Sequence, residues 1–357
     1  MRADWIKNVG RLVVKLGTGV LTDSKKQPDL AQFEQLVAQV AAEHRNGREV
    51  VIVTSGAVGA GMGVLGYEKR PATLDALQAC AAIGQSRLMA TYERLFAKHG
   101  LHIAQVLLTH DDLQHHERHL NARNTLITLL RQRVIPIINE NDAVSITELK
   151  FGDNDKLSAL VACLLPADLL VILTTVDGLI EGFGTPAARV VEEVGKISSE
   201  VENSAGGTTS ATAVGGMATK IQAAKMATRS GIPLVIASGK KHDALSRILA
   251  AEPEGTLFLP SEKGLKSRKR WIAFFHHPKG ALYVDEGARK AIRDRGTSLL
   301  KPGIRRSEGQ FQGQDVVRIC DEDGTEFARG IARFSVPELE MAASRSVVVH
   351  RDDLVVL

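Results

Sequence analysis

Cysteine is scarce in this sequence. Its 357 residues include Cys80, Cys163 and Cys320, each inside an apolar segment and far from the others. An odd, scattered set supplies neither a disulfide framework nor the paired spacing of a zinc site, so it reads as buried free thiols in a reducing compartment. Aromatic residues make up only 4% of the chain, few for a nucleic-acid stacking surface. Long apolar runs are missing too: the longest, Leu157 to Val176, is broken by Pro166 and Asp168, so no membrane span is expected. The start, Met1-Arg2-Ala3-Asp4-Trp5, has no apolar leader core, and the expected location is cytoplasmic.

Several signatures of chemistry are also absent. The chain has no G-x-x-x-x-G-K-[ST] phosphate loop and no G-x-S-x-G nucleophile elbow. Gly61-Met62-Gly63-Val64-Leu65-Gly66 matches G-x-G-x-x-G, but it starts well past its strand, and no strand-ending acid follows at the distance a dinucleotide site requires. His115 and His119 are spaced i, i+4 without the H-E-x-x-H order, and with His110 and His116 they read as an exposed helix start; no metal site is expected.

What is present is an ordinary globular balance, 44% apolar and 24% charged, with a net charge of +4. That charge is unevenly placed. Residues 1–260 carry equal numbers of basic and acidic side chains, whereas 261–310 holds 13 basic against 5 acidic. Over 1–240, short β-rich runs alternate with helical ones. Arg11–Leu16 and Val50–Thr54 read as strands, and between them Asp29 caps a helix whose apolar face runs through Leu30, Phe33, Leu36, Val37 and Val40. Helices are expected near 73–99 and 116–132, and another opens near Gly216. Further strands are expected at His102–Leu108, Val134–Ile138, Leu169–Thr174 and Pro233–Ala237. Continuous apolar strands joined by helices predict an α/β fold: an open, largely parallel sheet with helices on both faces.

After about residue 255 the pattern changes. A charged joint at 261–271 precedes short β segments at Ala281–Val284, Asp315–Ile319, Phe327–Arg333 and Val347–His350, with one short helix near Glu286–Asp294. This predicts a small β-barrel-like domain over 272–352, behind a larger domain over 8–260.

In an open parallel sheet, ligands gather at the carboxyl ends of the strands. The residues there are Lys15-Leu16-Gly17-Thr18-Gly19, Thr54-Ser55-Gly56-Ala57, Asn139-Glu140-Asn141-Asp142 followed by Gly152-Asp153-Asn154-Asp155, Thr174-Thr175, and Gly215-Gly216-Met217-Ala218-Thr219-Lys220. Glycine-rich turns at helix starts offer free backbone N–H groups to phosphate, and Lys15 and Lys220 add charge. Read alone, Lys220 is equally a solvated helical lysine, and Asp155 equally the N-cap of a polar turn.

Taken together, these motifs resemble the amino acid kinase family across residues 8–260, in the branch that phosphorylates L-glutamate. Pro71-Ala72-Thr73, Ala82–Leu88 and Leu120–Thr125 add to the resemblance. Tyr283–Ala288, Gly296–Leu300 and Val316–Cys320 resemble a PUA domain, which follows the kinase domain in many bacterial members of that branch. The resemblance implies transfer of the γ-phosphoryl of ATP to the side-chain carboxylate of L-glutamate, the first step of proline synthesis, with ATP as co-substrate and Mg²⁺. A near alternative is the same fold acting on another acid or a nucleotide. A second is an RNA-binding role through the PUA domain, although an RNA partner is not expected.

Carried over by motif, Lys15 and Lys220 would flank the phosphoryl group with Asp155 holding both. Ser55, Asp142 and Asn154 would bind glutamate, and Gly17, Gly56 and Ala57 would bring backbone close to the phosphoryl path. Thr174, Thr175 and Val214, Gly215, Gly216, Met217, Ala218, Thr219 and Lys220 would contact ATP. The sequence departs from the family pattern at Thr175, where Asp is usual, at Ala213-Val214 and after Gly178, all on the nucleotide side. The family also implies a homo-oligomer, dimer or tetramer, and handover of a labile product to a glutamyl phosphate reductase.

Overall fold

The computed structural model describes residues 2–23, 27–144, 154–205, 216–261, 265, 267–275 and 278–357. The chain divides into two compact units, one spanning Met1–Asp112 and Glu117–Gly264, the other built on Leu265–Leu357.

Strands of the first unit are β1 (Arg11–Leu16), β2 (Glu49–Val53), β3 (Ile103–Leu108), β4 (Ile135–Glu140), β5 (Leu169–Thr174), β6 (Ile180–Glu181), β7 (Arg189–Val190), β8 (Glu193–Val194), β9 (Leu234–Ser238) and β10 (Thr256–Phe258). Eight of them form one sheet in the order β3-β4-β2-β1-β5-β9-β10-β8, while β6 and β7 make a separate hairpin. Every pairing from β3 through to β9 is parallel. Only β10 runs antiparallel, against β9, with β8 beyond it at the edge and parallel to β10; neither of these two strands was expected from the sequence.

The central strands are largely apolar because both faces are covered. On one face Leu12, Val14 and Leu16 of β1 pack with Leu169, Val171 and Leu173 of β5. Phe33, Leu36, Val37 and Val40 of the helix Leu30–Arg45 and Tyr92 and Phe96 of the helix Leu74–Ala97 close that core. Asp29 caps the first of these helices as expected, its carboxylate accepting from the Gln32 N–H. Strand side chains alternate, so Lys15 points to the opposite face from Val14 and Leu16. That face carries the helix Asn154–Leu164, whose Asp155 meets Lys15.

The G-x-G-x-x-G look-alike lies in the helix Ala57–Leu65. A Cβ at Gly61 would stand 1.8 Å from the Cys80 carbonyl oxygen, and one at Gly84 would stand 1.7 Å from that of Ala57. The two glycines let this helix and Leu74–Ala97 cross at backbone contact, which is packing and not nucleotide binding.

In the second unit the strands are β11 (Gly280–Val284), β12 (Leu299–Leu300), β13 (Ile304–Gly309), β14 (Val316–Cys320), β15 (Glu326–Ile331), β16 (Val347–Val349) and β17 (Leu354–Val356). Five of them form a sheet in the order β13-β11-β14-β15-β17. Its core gathers Leu282, Val284, Phe311, Val317, Ile319 and Val349. Beyond the joint, the helix Glu286–Arg295 is joined by a second, Val336–Met341, opened by a capping box from Ser335 and Glu338, so the single helix expected there is corrected to two α-helices among the described residues. No helix among the described residues is long and apolar enough to cross a membrane.

Candidate active site

Parallel strands end together, so β1, β2, β4 and β5 deliver their following residues to one edge of the sheet. At the centre is Asp155, 1% exposed. Its Oδ1 lies 2.7 Å from Lys15 Nζ and its Oδ2 lies 3.1 Å from Lys220 Nζ. Thr219 Oγ1 is 2.9 Å from the same Oδ2. Burial alone would raise the carboxyl pKa, but the two ammonium groups and their hydrogen bonds outweigh it and hold Asp155 below the usual carboxylate range. Asp155 does not act as a helix cap; its side chain serves the lysines. Among the described residues, two buried lysines share this one carboxylate.

The backbone around the lysines is open. Gly17 donates its N–H to the Leu173 carbonyl at 3.2 Å, and a Cβ there would come within 3.4 Å of Lys15 Nζ. Gly56 adopts φ +103°, left-handed, and opens the helix Ala57–Leu65, whose first N–H groups have no intrahelical acceptor. Lys220 lies in the first turn of the helix Met217–Arg229, which starts at Gly216. Thr174 is buried at the end of β5, its carbonyl taking the Gly239 N–H at 2.8 Å, whereas Thr175 is exposed with its methyl against Gly19. Met217 is half-buried and Ala218 exposed. Val214 and Gly215, like Gly152 and Asp153, lie outside the described residues.

Beside this centre Asn154 is buried, its Nδ2 lying 2.5 Å from the Thr54 carbonyl, 3.0 Å from Ser55 Oγ and 2.9 Å from Asn139 Oδ1. A cavity of about 200 Å³ adjoins it, lined by Ala57, Gln85, Gln105, Glu140, Asn141 and Asp142 among others. Asp142 Oδ1 is buried with no hydrogen-bond partner among the described residues. Burial pushes its carboxyl up to about 6, against the pull of Arg70. Arg70 offsets only part of that burial, and the buried Oδ1 keeps its capacity to accept a hydrogen bond from a charged donor.

Every described candidate from the sequence falls at this edge. Asn139 was given only as part of the strand-end motif and Gln85 only within the Ala82–Leu88 resemblance, neither with a role, and Gln105 was not singled out, because an amide in mid-helix or mid-strand carries no local signal. Among the described residues no cluster of His, Cys, Asp and Glu could hold a metal ion.

Comparison with known proteins agrees with this geometry. Residues 10–238 match the model of the amino acid kinase family, and residues 280–352 match the PUA domain. The chain is 47% identical to the glutamate 5-kinase of Geobacter sp. (strain M21), covering 100% of both chains. It is 45% identical to that of Proteus mirabilis, covering 97% of this chain and 98% of the relative. Among solved structures, carbamate kinase from Giardia lamblia bound to AMP-PNP superposes with a TM-score of 0.52 at 20% identity, over 71% of this chain and 100% of that one. At that identity the likeness speaks for the fold alone.

Proposed function

The chain belongs to the amino acid kinase family and carries a PUA domain behind the kinase domain, and on that premise we propose that it phosphorylates the side-chain carboxylate of L-glutamate with ATP. The observation that carries the proposal is the adjacency of the two-lysine centre around Asp155 and a cavity in which Asp142 Oδ1 is buried with no hydrogen-bond partner among the described residues. Phosphate chemistry belongs at the first, and an ammonium group at the second. The product is glutamyl 5-phosphate, which opens proline synthesis.

The reaction needs little acid–base chemistry. A free glutamate side chain has a pKa of about 4.3, so at neutral pH it is already an anionic nucleophile. The remaining work is to align two anions and neutralise charge on the transferring phosphoryl group. Lys15 and Lys220 flank that group in this proposal, and Asp155 fixes where both ammonium groups sit. The N–H groups at Gly56 and Ala57, with Gly17, lie along the phosphoryl path. Ser55, Asn154 and Asp142 bind glutamate, Asp142 through the ammonium. Thr174, Thr175 and residues 214–220 face the nucleotide.

Mg²⁺ fits as the companion of the nucleotide: the central carboxylate is committed to lysines, so the ion's oxygen ligands would come chiefly from ATP phosphates and water. Bound there, it would spread the phosphate charge. We place the kinase domain at 8–260, the joint at 261–271 and the PUA domain at 272–352. We assign a homo-oligomeric state, a cytoplasmic setting and transfer of the labile product to a reductase of acyl phosphates.

Incubating the purified chain with ATP, Mg²⁺, glutamate and hydroxylamine tests the reaction. Formation of the γ-hydroxamate with release of ADP is the expected result. Turnover of aspartate, acetylglutamate or uridylate in place of glutamate would overturn the substrate assignment.

A further inference from the structure

We propose that Gln85 and Gln105 are specificity-determining residues, their side-chain N–H groups binding the α-carboxylate of the substrate while Asp142 takes its ammonium. This rests on reading the cavity as the glutamate site.

A backbone carbonyl can only accept a hydrogen bond, and the Thr54 carbonyl lies 2.5 Å from one end of the Asn154 amide. That end is therefore the nitrogen, and rotating the amide would set two oxygens against each other. Asn139 must then turn its oxygen to Asn154, at 2.9 Å, which leaves its nitrogen facing Gln85. Gln85 receives that N–H on Oε1 at 2.9 Å. Its own Nε2 is thereby turned to Gln105, whose Oε1 accepts at 3.0 Å. One carbonyl thus orients the whole row of amides.

The row ends as donors. Each amide nitrogen carries two protons. Gln85 gives one to Gln105 and keeps the other, and Gln105 Nε2 has no hydrogen bond among the described residues. Both residues line the cavity together with Asp142. Its walls therefore divide by polarity, with the acids Glu140 and Asp142 on the β4 side and amide N–H groups from β3 and the helix Leu74–Ala97. Arg70 acts on Asp142 through space but does not line the cavity. An α-amino acid presents an ammonium and a carboxylate on one carbon, which matches a carboxylate and neutral donors facing a common space. Neutral donors have a second merit: a lysine or arginine in their place would pair with Asp142 and fill the site with the protein's own charge.

Gln85→Glu separates this role from simple bracing. The glutamate keeps an oxygen to accept from Asn139, so the order back to Asn154 persists, but the donor toward the cavity is lost. The full-length chain is assayed with ATP and Mg²⁺ on L-glutamate and on 4-aminobutyrate, which keeps the terminal carboxylate and the amine but lacks the α-carboxylate. In Gln85→Glu the preference for glutamate in kcat/KM should fall by about 10- to 100-fold, through the KM for glutamate, while the KM for ATP holds. Gln105→Leu should act in the same direction and less strongly, and it decides the matter if Gln85→Glu does not fold. An undiminished preference, or an equal loss of kcat on both substrates, overturns the proposal. Failure of the unaltered chain to phosphorylate glutamate overturns the reading of the site beneath it.

Discussion

Asp155 and Asp142 are both withdrawn from water at the same sheet edge, and their protons are held in opposite ways. Asp155 is ringed by Lys15, Lys220 and Thr219 and stays ionised well into acid. Asp142 meets burial that Arg70 only partly offsets and rises to about 6. The first carboxylate is complete in the folded protein and organises a rigid electrostatic centre. The second, on the proposed function, is completed by the substrate ammonium. On the proposed function the contrast separates a part that positions phosphate from a part that selects an amino acid, and it can be broken at either end.

The largest effect falls on the complete side. If Lys15 and Lys220 flank the transferring phosphoryl group as proposed, Lys15→Ala or Lys220→Ala should lower kcat by about 10³-fold or more with the fold retained. An unchanged kcat in either variant would refute the phosphoryl site. Asp155→Ala leaves two buried ammonium groups without their anion, so it should also destabilise the first unit by about 3–5 kcal/mol, read as a lowered thermal midpoint. A midpoint equal to that of the parent chain would mean the lysines find water instead.

On the incomplete side the effect moves from kcat to KM. Asp142→Asn keeps the shape and loses the charge, so the KM for glutamate should rise by about 100-fold while kcat changes little. Equal losses in both constants would show that Asp142 also supports the lysine centre.

How much of this contrast could be read in the sequence follows from where each residue sits. Lys15, Ser55, Asp142, Asp155 and Lys220 stand at strand ends or helix starts, places that the alternation of apolar runs locates without any tertiary knowledge. The sharing of Asp155 by two lysines was visible only through family resemblance, because residues far apart in the chain, such as 15, 155 and 220, meet only once the sheet forms. The Gly61 motif was set aside in the sequence because it starts well past its strand, and the Cys80 carbonyl lying against it shows what the glycine is for, close helix packing. Gln85 and Gln105 lack any local signal, since their meaning is the direction of their hydrogen bonds. In the second unit, β13 and the helix Val336–Met341 escaped because Ile304–Gly309 is polar and largely exposed, and because the helix is too short to show a period.

The smallest effect is the most direct test of the contrast, and it needs no turnover. A carboxyl group whose folded pKa is raised stabilises the fold only while protonated. For Asp142 that contribution is full below the ordinary value of 3.8 and is lost as pH rises through about 6. At pH 7.5 the unliganded chain therefore carries a penalty that Asp142→Asn removes. The variant should melt higher, by an amount equivalent to about 1–2 kcal/mol once partial exposure is allowed for, and the gap should close as pH falls toward 4. Glutamate should reverse the order at pH 7.5, because only the ionised carboxylate gains from an ammonium and only the parent chain is then stabilised by mass action. The same titration weakens glutamate binding below pH 6. If the variant melts lower than the parent chain without ligand at pH 7.5, Asp142 is already satisfied by the protein, and the distinction between a complete and an incomplete carboxylate fails.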